Sequence, residues 1–131
     1  MITVELLHKP IAGEPGPNFY FRGSPHNYLD FVVALHSLGE HDGVNITLNR
    51  SIGIDNCTNK KVTFCSKPEG KTLCSIKDSE IIVELPYKTW IRVLEYLFSI
   101  TFYPSTQYIE FDDLDLIEDA NFIVESSPEV L

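Results

Sequence analysis

The densest group of side chains that could do chemistry is an acidic run near the end of the chain, residues 110–119, with six carboxylates. Carboxylates at this density could bind calcium, transfer protons in acid–base catalysis, or meet a basic partner. Arg92 is the last basic residue, so nine of the nineteen acids and none of the ten bases fall in residues 93–131. Large apolar residues stand between the charges, which is uncommon in solvated acidic tails. The run therefore predicts an acidic face built onto a folded body.

Calcium binding and catalysis fit the run less well. Asp113 and Asp115 suit the first two positions of a calcium loop, but Ile117 takes the third and the glycine of the sharp turn is missing. Nothing in the sequence pairs the acids with a nucleophile or a pocket. The sequence also has no Gly-rich phosphate loop, dinucleotide fingerprint, nucleophile elbow or His-Glu-x-x-His motif. We therefore expect no catalytic residue, no bound metal and no cofactor.

Two interpretations of the acidic run remain, a solvated loop and a partner-binding surface. The second is favoured because Phe111 and the other apolar side chains between the acids could anchor a contact. Tyr108 and Phe122, on either side of the run, are further candidate anchors. The predicted partner-binding residues are Tyr108, Glu110, Phe111, Asp112, Asp113, Asp115, Glu118 and Asp119.

The three cysteines point to structure rather than to chemistry. Cys57, Cys65 and Cys74 are odd in number, and their separations of eight and nine residues match no common zinc pattern. In a reducing compartment such residues act as small hydrophobes on or near strands. We predict free, unmetalled thiols.

Two helices are predicted to support these residues. Ser24 can cap the amides of a first turn and Pro25 suits the first helical position, which indicates a helix over 25–38 with Gly39 after it. Pro86 opens a second helix over 87–100. Its predicted buried stripe, at three- and four-residue steps, consists of Trp90, Leu94, Leu97 and Phe98.

The remaining periodic segments predict strands. The connections between them are too short for parallel crossovers, which favours antiparallel pairing. We expect one domain over residues 1–131 of the α+β class, a largely antiparallel sheet with two packed helices. The predicted strands cover 2–7, 18–22, 44–49, 61–65, 72–76, 79–85, 107–111 and 121–125.

The composition limits the class of partner that the chain can bind. The chain of 131 residues has a net charge of −9, which argues against nucleic acid and anionic membrane surfaces, because both attract cations. No run approaches the roughly 20 apolar residues of a membrane span. The first residues show no secretory signal, so we expect a cytoplasmic protein.

A short, acidic chain with two helices on a sheet and an anionic C-terminal segment resembles the immunity proteins of bacterial toxin systems. It is most similar in character to those that guard against contact-dependent growth inhibition toxins. Residues 81–96, a strand that runs into a Trp-bearing helix, carry the likeness. The resemblance implies a cytoplasmic, non-enzymatic inhibitor of one cognate toxin domain, often a cationic nuclease.

Two alternatives stay open at this point. One is a small cytoplasmic adaptor or oligomeric scaffold that uses an exposed sheet edge. The other is an enzyme whose residues are scattered along the sequence, which a large pocket lined by His26, His36 or His41 together with carboxylates would favour.

Overall fold

The computed structural model describes most of the chain. For 107–110, 116–118 and residue 121 only the backbone is described. The described residues are 1–11, 13, 16–102, 107–110, 116–118 and 121–127.

Both predicted helices are confirmed. Helix α1 spans Pro25–Leu35 and continues as a 3-10 turn over His36–Gly39, and α2 spans Tyr87–Ser99 and continues over Ile100–Phe102. The start of α1 is a capping box, because the Asn27 N–H donates to Ser24 Oγ at 3.4 Å and the Ser24 N–H donates to Asn27 Oδ1 at 3.2 Å.

Strands and one further 3-10 turn, Arg50–Ile52, make up the rest of the regular structure in the described residues. All eight predicted strands are present, β1 and β6 with the predicted ends and the other six with shifted ends. Two three-residue strands, β4 and β9, were not predicted. The bounds are β1 Ile2–Leu7, β2 Asn18–Gly23, β3 Asn45–Thr47, β4 Ile54–Asn56, β5 Lys61–Lys67, β6 Thr72–Ile76, β7 Glu80–Pro86, β8 Gln107–Glu110, β9 Leu116–Glu118 and β10 Asn121–Ser126.

The strands form two mixed sheets, which confirms the α+β class. The first sheet has the order β4-β1-β2-β10-β8 and the second β3-β5-β7-β6-β9. The prediction of largely antiparallel pairing is only partly right, because β1·β4, β2·β10, β5·β7 and β6·β9 are parallel. The argument from short connections fails at β5 and β7 because β6, which lies between them in the sequence, carries the chain back to the end of the sheet where β5 began. β6 pairs on the far side of β7, so a four-residue loop after β5 is sufficient.

One hydrophobic core connects both sheets and both helices. Phe21 of the first sheet lies 6.2 Å, between ring centroids, from Phe64 of the second, and 6.3 Å from Phe31 of α1. Phe64 packs in turn on Trp90 of α2, with 5.0 Å between the rings. These rings border an apolar cavity of about 20 Å³. It is lined by hydrocarbon alone, and such cavities stay dry.

The buried stripe of α2 is rotated from the predicted one. Trp90, Leu94 and Leu97 are buried as predicted, but Val93 completes the stripe and Phe98 is 44% exposed. Trp90 fixes the rotation, because its Nε1–H donates to the Cys65 carbonyl of β5 at 2.8 Å. At roughly 100° per residue, Phe98 then falls on the flank of the helix, away from the second sheet.

Candidate partner-binding face

The predicted site is divided between described and undescribed positions. Tyr108 and Glu110 belong to β8, at one edge of the first sheet, and Glu118 belongs to β9, at one edge of the second. The other predicted residues, Phe111, Asp112, Asp113, Asp115 and Asp119, lie outside the described residues.

The backbone of the acidic run passes from one sheet to the other and back. It leaves the first sheet at Glu110, pairs in parallel with β6 over Leu116–Glu118, and re-enters the first sheet at Asn121. Three peptide steps separate 118 from 121, so their Cα atoms are at most about 11 Å apart. The edge of the second sheet therefore adjoins the first sheet where the run crosses. Strand pairing holds the run at Glu110 and again over 116–118.

β10, onto which the run returns, is fixed to its surroundings by two tyrosines. The Tyr28 hydroxyl of α1 donates to the Glu125 carbonyl at 2.7 Å, and the Tyr20 hydroxyl of β2 donates to the Glu125 carboxylate. Burial, and secondarily the charge of Glu125, raise the pKa of Tyr28 well above its usual value. Tyr28 therefore remains a donor at neutral pH. Glu125 is engaged inside the fold, so it is a poor candidate for the acidic face.

Phe122 is a core residue and not an exposed anchor, so this part of the prediction was wrong. It is 5% exposed, and its ring lies 5.2 Å from Phe19 and 6.3 Å from Phe21. On β10 its side chain shares a face with buried Val124 and points between the sheets, where a partner has no access.

Basic side chains accompany the second sheet, as the sequence pattern indicated. Lys67 pairs with Glu84 at 3.5 Å, and Lys60 Nζ donates to the carbonyls of residues 77 and 78 at 2.8 and 2.9 Å. Lys71 and Lys77 flank β6, the strand that pairs with β9, and both are exposed. The acidic run thus borders a strand with lysines at its two ends.

The histidines are placed on the surface. His36 pairs with Glu40 at 3.2 Å and His26 with Asp30 at 3.7 Å, each with a side chain more than half exposed. Within the described ranges, no group of three or more His, Cys, Asp or Glu side chains is placed to hold a metal ion.

The cysteines are free thiols at three depths: Cys57 is exposed, Cys65 half-buried and Cys74 buried. Burial, and then the Glu84 carboxylate, raise the pKa of Cys65. A raised pKa lowers the thiolate fraction at neutral pH, so Cys65 is a weak nucleophile.

Sequence reasoning missed an apolar groove between the two helical segments. Its lining includes Val32 of α1, Gly39 after it, and Ile91, Leu94 and Phe98 of α2. The signal in the sequence was the pair Ile91 and Phe98, which are seven residues apart on α2. A single buried stripe that contains Trp90, Leu94 and Leu97 has no room for this second apolar pair. The polar residues of the groove are His36, Glu40 and Glu95.

Comparisons with protein families, curated proteins and solved structures identify no relative of this chain. In the part of the chain that the structure describes, neither helix is long and apolar enough to cross a membrane.

Proposed function

We propose that this chain is a cytoplasmic immunity protein that binds one cognate toxin domain, a cationic nuclease, and occludes its active site. The observation that carries the proposal is the path of the acidic run. It is paired into the first sheet through β8 and β10 and into the second through β9. A segment that is paired at Glu110 and again over 116–118 loses less entropy on binding than a solvated tail does, which favours its carboxylates as a binding surface.

The charge of the chain suits a cationic partner. A nuclease needs a basic groove to hold phosphates, and a carboxylate-rich surface can occupy that groove in place of the substrate. The net charge of −9 also accelerates diffusional encounter with such a partner. Speed matters for an inhibitor, because a toxin that has been delivered acts until it is captured.

Within this proposal Tyr108 and Phe111 are the apolar anchors, since Phe122 is committed to the core. Interfaces derive most of their affinity from a few buried aromatic or arginine side chains, while charges at the rim mainly set the association rate. The carboxylates of Asp112, Asp113 and Asp115 are assigned the role of rim charges that set the association rate.

The test begins with the protein encoded immediately upstream of this chain. Expressing its C-terminal domain in bacteria should arrest growth, and co-expressing this chain should restore it. A domain that leaves growth unaffected, or an arrest that this chain does not relieve, would refute the proposed function.

A matched pair of variants then locates the face. One variant reverses Asp112, Asp113 and Asp115 to lysine, and the other reverses three exposed acids elsewhere. Both have a net charge of −3 instead of −9, so only the position of the change differs. The first should slow association with the toxin domain roughly ten- to hundredfold, and the second much less. The control acids are Asp42, Glu69 and Asp78.

A further inference from the structure

The groove between the helical segments is a shaped surface with an apolar floor. The 3-10 turn after α1 packs tightly on α2, because a Cβ atom placed on Gly39 would lie 3.1 Å from Ile91 Cγ1 and 3.3 Å from Leu94 Cδ1. Val32 and Leu94 form the floor, while Ile91 and Phe98 stand along the α2 wall. The lining residues of α2 run from Ile91 to Phe98, so the groove follows about two turns of that helix.

Exposed apolar side chains lie in the groove and elsewhere on the same two helical segments. Ile91 is 40% exposed and Phe98 44% exposed, and Phe98 packs edge-to-face on Phe102, which is 71% exposed. On α1, Leu29 is 40% and Val33 70% exposed. Single exposed apolar residues are ordinary, but a set on one helical layer is typical of a site that a partner covers.

The charges that line the groove are acidic. Glu95 makes no ion pair with any described residue, and Glu40 pairs only with the imidazoles of His36 and His41. The cations of α2, Lys88 and Arg92, are not among the lining residues. An apolar groove with carboxylates on both walls complements a ligand that is apolar along one stripe and basic beside it.

We infer that this groove docks an amphipathic helix of a partner protein, with the helix's apolar stripe on Val32, Leu94 and Phe98 and its Lys or Arg residues beside Glu40 and Glu95. A helix in a groove is a common mode of peptide recognition and fits a channel bounded by two helices. A second copy of this chain is a poor occupant, because it would set like carboxylates together between bodies of charge −9. The inference concerns a different surface from the acidic run and holds whether or not the partner is a toxin.

Two synthetic peptides test the inference directly. Both are helices of about 18 residues with one Leu/Phe stripe, flanked by lysines in the first peptide and by glutamates in the second. Titrated into the ¹⁵N-labelled protein, the lysine peptide should shift the amides of residues 32–40 and 91–98. The glutamate peptide should bind at least about tenfold more weakly.

Single substitutions then separate docking in the groove from non-specific attraction. Glu95→Lys should weaken binding of the lysine peptide about tenfold, and Phe98→Ser should weaken both peptides, with the helical signal of each variant unchanged. The controls are Glu69→Lys and Leu73→Ser, which change an exposed acid and a 41% exposed leucine outside the helical layer.

Three outcomes would overturn the inference. Equal losses in the groove variants and the controls would show attraction to net charge alone. Shifts confined to residues outside the groove would place the peptide elsewhere. A protein that dimerises in sedimentation experiments, and becomes monomeric with Phe98→Ser, would assign the groove to a second copy. Because none of these assays uses the toxin, failure here is distinguishable from failure of the proposed function.

Discussion

Replacing Tyr28 with phenylalanine removes one buried hydroxyl between α1 and β10, and its effect on stability should depend on pH. At pH 7 the variant loses the 2.7 Å hydrogen bond to the Glu125 carbonyl. The net contribution of such a bond is about 0.5–1.5 kcal/mol, and an under-satisfied buried carbonyl adds to the cost. We therefore expect the free energy of unfolding to fall by about 1.5 kcal/mol at pH 7.

The difference should disappear at high pH. Burial raises the pKa of Tyr28 in the folded state, so the folded protein keeps this proton where the unfolded chain, with a tyrosine pKa of about 10, has lost it. The contribution of Tyr28 is therefore complete below pH 10 and declines above it, by about 1.4 kcal/mol at pH 11. The phenylalanine variant has no such proton, so the two proteins should be about equally stable near pH 11.

Urea unfolding of both proteins at pH 7, 9, 10 and 11 measures this change, with equal m-values as the check on two-state behaviour. Other groups that titrate in this range are common to both proteins and cancel in the difference. Tyr96→Phe is the matched control, because that ring is 36% exposed and its replacement should have little effect at any pH. A difference between wild type and Tyr28→Phe that stays constant from pH 7 to pH 11 would refute the reasoning.

Two further predictions concern the core and the thiols. Trp90→Phe should lower the free energy of unfolding by about 2–3 kcal/mol, because it enlarges an existing cavity and removes the donor to the Cys65 carbonyl. Phe98→Leu should change the free energy of unfolding by less than about 0.5 kcal/mol. Chemical denaturation measures both, and equal effects would contradict the packing described for α2. In the native protein a thiol reagent should label exposed Cys57 first and buried Cys74 only as fast as the chain unfolds. Equally fast labelling of the two would contradict their burial.

Local signals in the sequence predicted the helices well. The Ser24 cap and Pro25 act within the first turn, so they specify the start of α1 whatever surrounds it. The rotation of α2 is a different matter. Val93 and Phe98 are both apolar and flank the same stripe. Which of them is buried depends on contacts with distant elements, among them the bond from Trp90 to β5.

The sheets depended on contacts that no local pattern contains. β4 and β9 are three residues long, which is too short to show an alternating pattern. They are strands because their backbones pair with β1 and β6. The parallel pairing of β5 with β7 depends on where β6 settles after its turn. For the candidate site, the sequence identified the acidic residues. It could not give the route of the run between two sheets, because that route is set by residues 72–74, far away in the chain.

The central claim, that the acidic run is the surface that meets a basic partner, is tested most directly by association kinetics. Stopped-flow mixing of this chain with the toxin domain encoded beside it, at about 0.05 and 0.5 M NaCl, spans the range over which salt screens exposed charges. The wild-type association rate constant should fall at least about tenfold between the two conditions. The variant with Asp112, Asp113 and Asp115 reversed should associate slowly at both salt concentrations. The claim is contradicted if this variant associates as fast as wild type and with the same salt dependence.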